Sequence, residues 1–130
     1  MVNQLKQQAL DEAMHENGNY TLAISICKLL LRNGPTEMLT LSALSTAYER
    51  IAETKIGEQK ERWLILAEEK MQQATDMFIT YEDNINQGRN YSEKGLFIEA
   101  IDQFNRAYRI EPDYPEAENY LYDLKLFSVG

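Results

Sequence analysis

The chain is poor in the residue types that chemistry requires. Its 130 residues include one histidine and one cysteine, whereas acid–base and nucleophilic catalysis need several such groups held together and tuned. A zinc site would need more His and Cys ligands than exist here, unless carboxylates dominated the set. His15, at the end of "DEAMH", reads as an exposed or half-buried residue closing a helix. Cys27, within "ISICKLLL", has no second cysteine to pair with and reads as a buried, inert thiol. No glycine-rich phosphate-cradling loop is present. "DNINQG", residues 83–88, is faintly similar to a calcium loop, but Ile85 and Gln87 occupy ligand positions and Lys94 stands where the closing glutamate belongs. Asn19-Tyr20-Thr21 and Asn90-Tyr91-Ser92 fit the glycosylation pattern, yet both tyrosines have packing roles, so these read as chance matches. The expectation is a chain without catalysis, metal or cofactor.

Long apolar runs are missing too: none approaches the 18 or so residues of a membrane span, and "MVNQLKQQAL" lacks the charged-then-apolar order of a secretory signal. A cytoplasmic location is expected. Basic side chains are scarce, 13 against 21 acidic ones, for a net charge of -8. Residues 1–37 sum to -1, residues 38–80 to -2 and residues 81–130 to -5. Such a balance repels phosphate backbones, which argues against nucleic acid or an anionic membrane as ligand and favours a protein partner with basic and apolar side chains. With only three prolines and six glycines, 44% apolar and 26% charged residues, the composition favours one helical domain over disorder.

What is present is periodic. Phe97, Ala100, Ile101, Phe104, Ala107 and Tyr108 recur at three- and four-residue intervals, with Glu99, Asp102, Arg106 and Arg109 between them, one apolar stripe on a helix. Pro112 stops that helix near Glu111, and Pro115 with Glu116 opens another that puts Ala117, Tyr120, Leu121 and Leu124 on one face. Gly18, Tyr20, Ala23 and Pro35 each precede Gly95, Phe97, Ala100 and Pro112 by 77 residues. A middle unit lies between them, since Ser45 and Tyr48 echo Gly88 and Tyr91 while Ala67, Met71 and Ala74 echo Ala100, Phe104 and Ala107. Tyr91 to Ala100 spans nine residues and Tyr48 to Ala67 nineteen, so ten extra residues fall in "ERIAETKIGEQKERWLIL".

The spacing Gly88-x2-Tyr91-x3-Gly95-x-Phe97-x2-Ala100-x3-Phe104-x2-Ala107-x4-Pro112 resembles a tetratricopeptide repeat, a helix–turn–helix unit of about 34 residues. Repeat one covers 4–37, repeat two 38–80 with an insertion near 53–63, repeat three 81–114, and a capping helix 115–127. Repeat two has Ile79 where the unit normally carries its proline, and repeat three has Asn84 and Gln87 where tryptophan and leucine are usual. The resemblance implies an all-α fold: a right-handed solenoid of about seven antiparallel helices with a concave groove. Small residues at Gly88, Ala100 and Ala107, and at Ser45, Ala67 and Ala74, let helices approach closely, and Tyr91, Phe97 and Phe104 fill the space between them. Met71, at helical spacing, is expected in the core. Gly18 and Gly95 suit a backbone that leaves its helix with positive φ.

The groove that the resemblance implies is lined by the first helix of each unit. It takes Leu5, Gln8, Glu12 and His15 from repeat one, then Leu39, Ser42, Thr46 and Glu49 from repeat two. Glu82, Ile85, Arg89 and Ser92 come from repeat three, with Glu116, Asn119 and Asp123 from the cap. The bland alternative is a set of merely solvated helix faces. One subfamily grips a C-terminal carboxylate of heat-shock chaperones with basic and amide side chains. Here the matching positions hold Gln8, Glu12, Ala43, Glu82 and Asn86, which lack any cation and would repel that ligand. The expected role is an adaptor, scaffold or chaperone that binds a peptide or helix. The alternatives are a chaperone of bacterial type III secretion translocators, which such three-unit acidic chains resemble, or an assembly or regulatory subunit of a larger complex; self-association stays open. Within the insertion, Gly57 is expected at a turn before a long helix. Trp63 either seals that extension against Ile51 and Ile56 or belongs to an exposed apolar patch.

Overall fold

The computed structural model describes the backbone of residues 2–15 and 17–129 and the side chains of residues 3–15 and 17–125. The described residues form six α-helices and no strand: α1 (Val2–Met14), α2 (Tyr20–Asn33), α3 (Met38–Ala52), α4 (Gly57–Glu93), α5 (Phe97–Ile110) and α6 (Pro115–Val129). No helix among them is long and apolar enough to cross a membrane. The stops follow local chemistry. Asn19 caps α2, its side chain accepting the Leu22 amide at 3.0 Å. Gly95, at φ +78°, turns the chain after α4, and the Leu96 amide reaches back to the Tyr91 carbonyl at 2.9 Å. α5 ends just before Glu111 and Pro112, where proline forbids continuation.

The helix count of seven is corrected to six because α4 runs unbroken for 37 residues. The segments expected as the second helix of repeat two and the first helix of repeat three are one element. Ile79 stands in place of the stopping proline, and from Glu58 to Gln87 neither proline nor glycine interrupts the backbone ladder. Gly88 lies within the helix, where it weakens helicity by about 1 kcal/mol relative to alanine without breaking it.

The chain divides into two compact units, residues 1–75 and 76–130. In the first, α1, α2 and α3 pack mutually around Ala13, Ala23, Cys27, Ala43, Leu44 and Ala47. Ala67 of α4 joins that core, and the Ser45 hydroxyl donates to its carbonyl at 2.7 Å, a close helix approach that small residues permit. In the second unit, Tyr81, Ile85, Ala100, Phe104, Ala107, Ala117 and Leu124 form the core. A Cβ built on Gly88 would lie 2.5 Å from the Phe104 ring, so glycine is required there by space. Phe104 stacks on Tyr120, ring centres 4.6 Å apart and planes 4° from parallel.

Four further expectations are corrected. Met71 is 42% exposed and Phe97 43% exposed, so neither lies in a core; each points from its helix toward a side that no neighbour covers fully. Gly18 does not adopt a positive φ. Its Cβ would fall 1.9 Å from the Glu12 carbonyl oxygen, so close approach of the backbone is what demands glycine. Ile56 is 88% exposed and seals nothing, while Trp63 is half-buried and packs on Tyr48, ring centres 5.7 Å apart.

Candidate functional site

Leu5, Gln8, Glu12 and His15 fall on or just after α1, and Leu39, Ser42, Thr46 and Glu49 on α3, its packed neighbour. Leu5 is half-buried against the core, Gln8 and His15 are exposed, and Glu12 is half-buried. The Glu12 carboxylate is committed within the chain, because Oε2 accepts the Asn19 backbone amide and so ties the end of α1 to the start of α2. Tyr20 adds to this turn by donating its hydroxyl to the His15 carbonyl at 2.7 Å. On α3, Leu39 and Glu49 are exposed and Ser42 and Thr46 half-buried; the Thr46 hydroxyl donates back to the Ser42 carbonyl at 3.0 Å.

In the second unit, Glu82, Arg89 and Ser92 lie on the later half of α4, and Glu116, Asn119 and Asp123 are exposed on α6. Ile85 is corrected as a groove residue: at 1% exposure it belongs to the core with Tyr81 and Phe104 and offers no surface to a ligand. Tyr81, likewise buried, meets Tyr114 edge-on with ring centres 5.3 Å apart. Burial pushes its phenol up, and the charges of Glu116 and Glu82 add to the shift.

Two hollows in the first unit gather side chains that, Leu5 and Glu49 apart, the expected groove did not include. One, of about 220 Å³, is lined by Leu5, Leu29, Leu30 and Pro35, with the Lys6–Glu37 ion pair at 2.6 Å on its wall. The other, of about 350 Å³, lies between α3 and the first part of α4 and is lined by Ser45, Glu49, Leu64, Ala67, Glu68 and Met71. Glu49 alone of these six was among the expected groove residues. Leu64, Glu68 and Met71 were missed because their exposure depends on what covers α4. The available signal was "RWLIL", whose consecutive large apolar residues wrap most of a helix turn and cannot all face one core.

Cys27 is fully buried, and burial pushes its thiol from the ordinary 9.0 up to about 11, which keeps it protonated and unreactive at neutral pH. His15 stands exposed beside Asp11, Glu12, Asn17 and Gly18. In comparisons with family models, curated proteins and solved structures, no match to this chain was found.

Proposed function

We propose that the chain is a non-catalytic helical interaction module of tetratricopeptide type, which binds a peptide or helix of another protein carrying basic and apolar side chains. The repeat reading is supported by the close approaches at Gly88 and at Ser45 with Ala67, and by the left-handed turn at Gly95. This reading accommodates the long α4 as a fusion of neighbouring repeats, and the residues it offers a ligand are those named on α1 and α3 and, separately, those on α4 and α6 other than Ile85.

The observation that carries the binding role is the surface. Large apolar side chains, among them Leu39, Leu64, Ile65 and Met71, stand exposed on the helices of a chain with net charge -8. Large apolar side chains exposed on a chain of acidic net charge fit a docking surface for a partner of apolar and basic character. The test is purification of the tagged full chain from its own cells, identification of the co-purifying protein by mass spectrometry, and reassembly from the two purified components. A stoichiometric complex that weakens as salt rises supports the reading. Failure of the purified components to reassemble removes it.

A further inference from the structure

We infer that the cleft between α3 and the first part of α4 is the seat of a basic amphipathic helix from a partner protein; the inference rests on the interaction reading above and assigns its site. This cleft shares only Glu49 with the row of first-helix positions that the repeat pattern singles out.

Its floor is made of small groups, Ser45 and Ala67, held together by the hydrogen bond from the Ser45 hydroxyl to the Ala67 carbonyl. Its walls are apolar. Leu64 and Met71 are 41% and 42% exposed and lie seven residues apart, on one side of α4 and about 10 Å from each other along its axis. That is the spacing at which an apolar row on a second helix meets a first, with side chains set into the hole above the small floor. Glu68 stands between the two apolar residues, and Glu49 faces from α3. Neither carboxylate is in an ion pair among the described residues, and no lysine or arginine lines the cleft. An occupant therefore needs apolar residues about one heptad apart with lysine or arginine on the flanks. A second copy of this chain, net charge -8, would set acid against acid.

The test uses the full chain and a fluorescein-labelled peptide of leucine and lysine alone, patterned as an amphipathic helix about five turns long, read by fluorescence anisotropy. Saturable one-to-one binding is expected. It should weaken at least about tenfold, a loss of about 1.4 kcal/mol, in Glu49→Gln/Glu68→Gln and, separately, in Leu64→Ser/Met71→Ser. All four side chains are at least partly in solvent, so both variants should keep the parent's circular dichroism and melt. The same charge change made elsewhere, Glu99→Gln/Glu118→Gln, should leave binding unchanged. Equal weakening by both charge pairs would reduce the interaction to diffuse attraction and overturn the assignment. Binding that ignores every cleft variant would also overturn it while leaving the interaction reading intact. No binding of the peptide at low salt sinks the basic-helix occupant, and the reassembly experiment then judges the broader reading on its own. Dimerisation by sedimentation that Met71→Glu abolishes would assign the cleft to a second copy instead.

Discussion

At the scale of single residues, the strongest constraints come from groups that have no room or no water. Gly88 shows how two effects of opposite sign are weighed. Alanine there would favour the helix by about 1 kcal/mol, but its Cβ would sit 2.5 Å from a Phe104 ring that is fully buried and stacked on Tyr120. The ring has nowhere to go, and overpacking of this kind costs about 1 to 3 kcal/mol. Gly88→Ala should therefore lower stability by up to about 2 kcal/mol in a urea titration; a raised midpoint would show that Phe104 can yield. Cys27 makes a prediction about pH. The folded state holds its proton up to about 11 against the usual 9.0, so its contribution is complete below pH 9 and is lost as pH rises toward 11. Two units of difference amount to roughly 2 to 3 kcal/mol. Native protein should resist thiol reagents at neutral pH, and Cys27→Ala should flatten the fall in stability between those two pH values, whatever its own baseline. A native thiol that reacts as fast as an unfolded one would contradict the burial.

At the scale of elements, what could be read from the sequence is what local chemistry decides. Pro112, Gly95 and Pro115 set the bounds of α5 and the start of α6 because each acts on its own backbone, and the spacing of Ala100, Phe104 and Ala107 named the face that is buried, while Phe97 and Tyr108 at the ends of that stripe stand exposed. The fusion within α4 was illegible for the converse reason. A repeat pattern places a stop at residue 79, but no residue there enforces one, and a helix continues wherever nothing interrupts its hydrogen bonds. The site was half legible. Glu49 follows from the repeat spacing, whereas Leu64 and Met71 share helical positions with core residues, and only the packing decides which of them is covered. Glu12 carries no mark in sequence of its bond to the Asn19 amide seven residues on. These considerations make Ile79→Pro a decisive substitution, since it restores the residue that the repeat pattern lacks at an exposed position. In a continuous α4 it removes a ladder bond and clashes with the preceding turn, at about 3 kcal/mol or more. Helicity at 222 nm and the melting temperature should both fall. A neutral or stabilising outcome would mean that two helices meet there.

At the scale of the whole molecule, the two units have separate cores. The buried residues of the first, from Ala9 to Ala67, and those of the second, from Tyr81 to Leu124, share no member, and α4 is the one helix that contributes to both. Opening free energies in proteins differ between such clusters when each is held by its own apolar contacts. Phe104→Ala should test this, for it removes the largest apolar side chain of the second core, a truncation that costs about 3 to 5 kcal/mol. Each unit is small, and a loss of that size is a large part of the stability that one core of this size supplies. Hydrogen exchange followed by mass spectrometry should then show α5, α6 and the later part of α4 exchanging far faster than in the parent. Amides of α1, α2 and α3, around Ala13, Cys27 and Leu44, should keep most of their protection. If every helix instead lost protection at one rate, the chain would fold as a single cooperative body, and the cleft between α3 and α4 would open and close with the Phe104 core.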